Sequence, residues 1–547
     1  MGATGPLKEN GTFHEVPIPN DLVNNNNNDS DDTKTKPDGA SQVKNRTFQS
    51  ALPQILASSA KNMLLFSYGT SLGLPTIAIP VLSSLQEDTR DPYLTLNRSQ
   101  ISWFSSINLI CVPLGCLVSG ALTQPFGRKR SMMFMNIPYT IAFLLFILSR
   151  DVTTLYVALA LCGLTGGLME APVLTYVAEI TEPHLRGMLS AVASMAVLFG
   201  QVSQLLLGSF LHWRTVATIN IAFPVISTVI LYFIPESPHW LITKGRITDA
   251  EASLCWLRGW VTPDKVQTEL KQITKAIEDS ALTRLGKDGQ KRPNYRMYTR
   301  RTFLLPYAIV TLTFFIGAFG GLTPLLTYAV SIFESLNTPI NPYIATLFLG
   351  VAEIFGAFLC VILIHYTGKR PLAIISTGGA GLCFFVVAVY AQFHQSHGWD
   401  APVIPLVFLL GFGFVTYLCI RLLPWMLIGE VFPNNIRSTA SGAAASSSYV
   451  FGFLINKLYF PMKDLFDLHG LLYFYASVNI LGMGLLYVFM PETESRTLSD
   501  IARHFADKTK TFDTTIVRSD KMKPGDRDAA GKVGVENMAL ETRDEKY

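Results

Sequence analysis

Three charged residues sit where charge is costly. Glu170, Glu353 and Arg421 each interrupt a long apolar run, and an ionised group at membrane depth costs several kcal/mol unless it is paired or hydrated. Arg421 can pair with Glu353 or Glu170. Alternatively it can reach a ligand, because its planar fork matches carboxylates and phosphates. Other charges mark the ends of apolar runs in a repeated pattern: Glu179 and Arg186 are separated by six residues, and so are Glu430 and Arg437. Together with Arg128 and Lys369, these residues can form ion pairs between helix ends that must break when a mouth opens. The chemistry on offer is therefore charge pairing and binding. No CxxC, HExxH, GxSxG or Walker-type loop is present, so no metal centre, activated nucleophile or nucleotide site is expected. Neither a cofactor nor an enzymatic activity is expected.

The elements that must position these residues are set by composition. Of 547 residues, 15% are charged and 49% hydrophobic, against roughly 25% charged in an ordinary soluble domain. Mean hydropathy is +0.32. The apolar excess must meet a lipid bilayer. A net charge of +4 with sparse, alternating signs lacks the one-sided basic face of a nucleic-acid binder, so no nucleic-acid partner is expected. Cys111, Cys116, Cys162, Cys360, Cys383 and Cys419 lie inside apolar runs and read as small hydrophobes rather than a disulfide scaffold.

A span needs about 20 apolar residues. Twelve runs meet that length: 62–85, 101–123, 131–149, 153–178, 188–211, 215–234, 302–333, 342–364, 371–393, 403–428, 438–460 and 470–490. The fold class is an all-α membrane protein of twelve transmembrane helices in two six-helix halves. Its expected divisions are an N-terminal tail over 1–55, a first half over 56–234, a linker over 235–301, a second half over 302–490 and a C-terminal tail over 491–547. The first tail, with its Asn24 to Asn28 run, is too polar to fold. No cleavable leader is expected, since the extreme N-terminus lacks an apolar segment. Within the linker, 248–260 and 264–279 carry helical spacing of apolar residues and are expected to be short amphipathic helices.

Arg128, Lys129, Arg130, Arg186, Lys369, Arg370 and Arg437 occupy alternate short connections, which makes those connections, the linker and both termini cytoplasmic. The sequon Asn97-Arg98-Ser99 then falls outside and is a glycosylation candidate. Those at Asn10, Asn28 and Asn45 are silent. The halves also repeat in sequence: Gly127-Arg128-Lys129 is echoed by Gly368-Lys369-Arg370, and Pro235-Glu236-Ser237-Pro238 by Pro491-Glu492-Thr493-Glu494. Two parallel repeats suit alternating access about a midplane site.

These motifs, with Leu257-Arg258-Gly259, Ala171-Pro172, Arg186-Gly187, Pro424-Trp425 and Thr497-Leu498, resemble the sugar porter family of the major facilitator superfamily, and within it the insect facilitated trehalose transporters. The resemblance covers about Leu56 to Ala502 and implies a multi-pass plasma-membrane transporter of a small molecule, a sugar, working without chemistry on it. It implies binding roles for Trp425, Gln204, Thr323 and Ser448, with Glu353 and Arg421 as charged replacements in the same pocket. An indole face can stack on a pyranose while its N–H donates, which makes Trp425 the leading contact. The chain departs from the family where span-seven glutamines become Gly317-Ala318, where a span-five glutamine becomes Leu205, and where acidic loop residues become Gln124 and His365. Residues 62–85 contain no Asp or Glu, which favours facilitated diffusion of trehalose or a hexose over proton coupling. The alternatives are a proton-coupled sugar, polyol or organic-anion carrier, and a non-transporting nutrient sensor.

Overall fold

The computed structural model describes residues 48–83, 91, 94–284, 301–398, 401–432, 437–494, 496 and 498–506. The expected N-terminal tail up to residue 47, its sequons, and the tail beyond 506 lie outside the described residues. Among the described residues the chain is helical, and no strand longer than the isolated Ser83–Leu96 bridge occurs.

Ten helices are long and apolar enough to cross a membrane. One of them, Ala440–Phe489, runs 50 residues and breaks at Asp467, whose φ is +57°, so it supplies the eleventh and twelfth spans. Pro183–Gly208, with its apolar part Val192–Gly208, supplies the fifth. The others are Phe48–Leu82, Arg98–Phe126, Arg128–Leu148, Val152–Ile180, Trp213–Phe233, Phe303–Ser335, Pro342–Thr367, Lys369–His397 and Val403–Val431. Twelve spans result. Below, the bundle end that carries the 235–301 linker is the linker side, and the other end is the far side.

The first span starts well before the apolar run that marked it. Its core-facing window is 89% buried, against spans five and six in particular, so protein rather than lipid surrounds it. Polar residues are tolerated there for that reason: Gln54, Ser58, Lys61 and Asn62 are all buried, and Lys61 Nζ donates to Asn62 Oδ1 at 2.7 Å. Small residues let other spans meet closely. Gly115 packs on Gly167 between spans two and four, and Gly200 packs on Gly69 between spans five and one.

Between the halves, helices occupy Ile247–Leu257 and Gln267–Arg284. Leu254, Val266 and Leu270 form a small core with Trp240 and Leu241. A final helix, Leu498–Ala506, buries Ile501 and Phe505 against span seven and the end of span ten.

Spans three and nine start in the same way. Gly127 has φ +93° and ψ 175°, and Gly368 φ +86° and ψ 166°, an extended positive-φ conformation that is essentially confined to glycine and costs an L-residue on the order of 1–3 kcal/mol. Each also lies against a carboxylate: an added Cβ would fall 2.5 Å from Glu236 Oε2 at Gly127 and 2.6 Å from Glu492 Oε2 at Gly368. Gly127→Ala and Gly368→Ala are therefore expected to lower the melting temperature in detergent. Gly245→Ala, at φ +74° with nothing within 4 Å, carries backbone strain alone and should lower it less. Equal losses at the three sites would show that the carboxylate contact contributes nothing.

Candidate functional site

On the linker side, one arrangement occurs twice. Glu236 Oε1 accepts from the backbone N–H groups of Arg128 and Lys129 at 2.9 and 3.0 Å. The Glu492 carboxylate accepts from those of Lys369 and Arg370 at 3.1 and 2.9 Å. Each carboxylate thus satisfies orphan donors at a helix N-terminus and sits at its positive end. Arg128 pairs with Glu179 at 2.7 Å, and Ser237 Oγ donates to the other Glu179 oxygen. Lys369 pairs with Glu430 and with Glu494 at 2.9 Å. Lys129 donates to the Tyr232 carbonyl and lies over its ring, and Arg370 does the same at Tyr487. His365 bonds Glu494 at 3.0 Å. Burial raises the Glu494 carboxyl, but the bonds from Lys369 and His365 outweigh it and hold the group below the usual carboxylate range.

These ion pairs join helices within one half. Arg128–Glu179 links spans three and four, and Lys369–Glu430 links spans nine and ten. The side chains of Arg186 and Arg437 lie outside the described residues.

The halves meet on the far side. Thr76 Oγ1 donates to the Leu326 carbonyl at 2.8 Å, Ser105 Oγ and Tyr328 Oη share a bond of 2.6 Å, and Asn456 Nδ2 donates to the Ser105 carbonyl at 3.1 Å. Tyr328 stacks on Tyr459 with ring centres 4.1 Å apart. Further out, Arg98 pairs with Asp464 at 3.1 Å and Lys457 Nζ lies 4.0 Å from the Trp103 ring centre. Among the described residues, these bonds between the halves fall at this end of the spans, and at mid-depth the Tyr68 and Tyr449 side chains also bond across the boundary.

At mid-depth the fourth, seventh and tenth spans are interrupted. Span four breaks at Met169, where Ser119 Oγ donates to the Leu168 carbonyl and accepts from Ala171 N–H at 3.1 Å. Span ten breaks at Cys419, where Ser376 Oγ donates to the Val415 carbonyl at 2.7 Å and accepts from Ile420 N–H at 3.1 Å. A serine from a neighbouring span thus supplies both partners that each break removes, groups that would otherwise cost about 1–3 kcal/mol each. Span seven is distorted over Ala318–Leu322, with Gly321 at φ +94°.

The charged residues flank these breaks. Glu170 follows the first and Arg421 lies in the second, and both are half-buried. The expected ion pairs do not form here: among the described residues Arg421 has no carboxylate within 4 Å, and the Glu353 carboxylate, 1% exposed, has no hydrogen-bond partner on either oxygen. The physical reason lies in the packing. Glu353 is held against Gly413 in the interface between spans eight and ten, whereas Arg421 sits in the irregular turn beyond. Arg421 bonds the Tyr417 side chain instead and acts on Glu353 through its charge alone.

The remaining candidates divide. Trp425 is half-buried, edge-on to Phe314 at 5.2 Å and 6.3 Å from Tyr449. Thr323 and Gly452 approach each other between spans seven and eleven, and Ser448 lies one turn before Gly452 on the same helix face. Gln204 is elsewhere: it is fully buried, its Oε1 accepts from Asn220 Nδ2 at 2.9 Å, and its Cβ packs where Gly73 has no side chain. Leu205, the neighbouring residue, faces Gly350 of span eight. Gly317, where the glutamine pair would begin, is buried, yet an added Cβ there meets nothing within 4 Å. A void stands in place of the missing amide.

Several residues escaped sequence reasoning. Lys61 fell one residue outside its apolar run, and Ser119 and Ser376 are ordinary serines whose role exists only once a broken helix lies beside them. Glu236 and Glu492 were visible as repeat landmarks, but their carboxylates find helix N-termini more than a hundred residues away.

Comparison with known proteins agrees with this architecture. Residues 51–505 match the family described as "Sugar (and other) transporter". The facilitated trehalose transporter Tret1 of Bombyx mori is 25% identical over 507 residues, 90% of this chain and 95% of the relative. Human solute carrier family 2, facilitated glucose transporter member 6, is 27% identical over 84% of this chain and 92% of its own. Among solved structures, the xylose transporter XylE from E. coli, in a partially occluded inward-open conformation, superposes with a TM-score of 0.64 at 20% identity, covering 82% of this chain and all of that one. With a twelve-span fold, a duplicated linker-side frame and a family match across nearly every described residue, this chain belongs to the sugar (and other) transporter family.

Proposed function

We propose that this protein carries a sugar, trehalose or a hexose, down its gradient across the plasma membrane by alternating access. The observation that carries the reading is the one-sided junction between the halves. They are bonded through Thr76, Ser105, Tyr328 and Asn456 on the far side, while the linker-side clusters close each within its own half. Basic residues of the short connections mark the linker side as cytoplasmic, so the state described is open inward, with both termini inside. The names of the silkworm and human relatives support a sugar as cargo.

The substrate site lies between the breaks of spans seven and ten. Trp425 offers an aromatic face to a sugar ring, and Thr323 and Ser448 offer hydroxyls. Arg421 and Glu353 bring charge-assisted hydrogen bonds to hydroxyl groups, which are stronger than neutral ones. The void at Gly317 enlarges the pocket on the side from which a glutamine pair would reach. Gln204 serves the packing of the first half rather than the cargo. The pairs of Arg128 with Glu179 and of Lys369 with Glu430 keep each half rigid, so that the halves rock as units.

Uptake of labelled trehalose, glucose, polyols and organic anions into expressing cells, at two external pH values, tests the proposal. Saturable sugar uptake that does not change with pH is expected, and Trp425→Ala should reduce it by about tenfold with surface expression retained. Transport of an organic anion in place of sugar would overturn the sugar assignment, and unchanged flux in Trp425→Ala would remove that residue from the site.

Asn97 gives a second check on topology. It is exposed on the far side, where its Oδ1 caps the start of span two by accepting from Gln100 N–H at 2.8 Å. Glycosylation there should make the protein run faster on gels after deglycosylation, and Asn97→Gln should abolish that change. A glycan that persists in the variant would contradict the assignment.

A further inference from the structure

The two halves place opposite charges at matching depth, and neither charge is ion-paired. Glu170 stands as far from Ile180, the linker-side end of span four, as Arg421 stands from Val431, the linker-side end of span ten. That distance is about 15 Å along a helix, roughly half a bilayer core. Both residues belong to breaks plugged by a serine from a neighbouring span. Both are half-buried, and no salt bridge within 4 Å involves either among the described residues.

Both act on the aromatic residues between them. Tyr68 of span one, 4% exposed, feels the charge of both Glu170 and Arg421. Tyr449 of span eleven, in the second half, feels Glu170 of the first. Each charge therefore reaches across the boundary between the halves. Glu353 is the other carboxylate within reach of Arg421, but it shares a half with Arg421 and is packed behind Gly413, so rocking the halves does not change that separation. Of these two carboxylates, it is Glu170 whose distance to Arg421 changes when the halves rock.

We infer that Glu170 and Arg421 are the inner latch of the transport cycle: apart in the inward-open state, and joined as an ion pair across the cavity when the linker side closes. Resting on the alternating-access reading above, this gives the pair a positioning role, since closure brings each charge the partner it lacks. The Arg98–Asp464 pair is its counterpart on the far side, joined in the present state.

Crosslinking tests the latch without any substrate. In a background with the seven native cysteines replaced, Glu170→Cys with Arg421→Cys should be joined intramolecularly by a bifunctional thiol reagent about as long as an Arg–Glu side-chain pair, because an ion pair holds Cα atoms farther apart than a direct disulfide spans. Arg98→Cys with Asp464→Cys serves as the positive control. A control pair that crosslinks while the 170–421 pair does not would overturn the inference. A second measurement keeps the native cysteines. Glu170→Gln, which leaves Arg421 to the cargo, should cut the maximal rate of sugar uptake by about tenfold while KM stays close to wild type. A maximal rate equal to wild type at equal surface amount would overturn the latch. A wild type that moves no sugar would count against the proposed cargo, and the crosslinking result would still decide the latch.

Discussion

A helix in lipid has no water to complete its backbone hydrogen bonds, and the interrupted spans of this protein exist because other side chains do so instead. Ser119 and Ser376 each hold one carbonyl and one N–H of a neighbouring broken helix. Without them, the turns at Met169 and Cys419 would leave polar backbone exposed to an apolar interior. Those turns carry Glu170 and Arg421, both half-buried. The placement of charge at the centre of the molecule thus rests on two hydroxyl groups.

The linker-side frame solves the same problem at helix ends. Glu236 and Glu492 each cap the span that follows a positive-φ glycine, and the basic residues beside them reach the carbonyls of Tyr232 and Tyr487. The halves then diverge. The first completes its cluster with Arg128, Glu179 and the Ser237 hydroxyl. The second uses Lys369, Glu430, Glu494 and His365, where the larger number of acids holds a single ammonium. Duplication preserved the backbone-capping contacts and let the surrounding charges drift.

Much of the fold was legible in the sequence because lipid-facing helices must be apolar along their length, and eleven of the spans lay where hydropathy put them to within a few residues. The first span began earlier, since a helix wrapped in protein can carry Gln54, Ser58 and Lys61. The repeats Gly127/Gly368 and Glu236/Glu492 were visible as spacing, but not as contacts. The pocket was less legible. Gln204 was read from helix rotation, and its bond to Asn220 depends on a neighbouring span that rotation alone does not reveal. The expected pairing of Arg421 is absent because Glu353 is packed against Gly413 between spans eight and ten, while Arg421 sits in the irregular turn beyond, and helix spacing reveals neither placement.

The far-side closure contains an ion pair whose members are 75% and 60% exposed and a half-buried lysine above an exposed indole. The linker-side pairs are mostly shielded. Dissolved salt screens open-water charges over a Debye length of about 8 Å at physiological strength, and it screens shielded ones far less. Ionic strength on the far side therefore acts as a one-sided lubricant: it loosens the contacts of that mouth and leaves the linker-side frame unchanged.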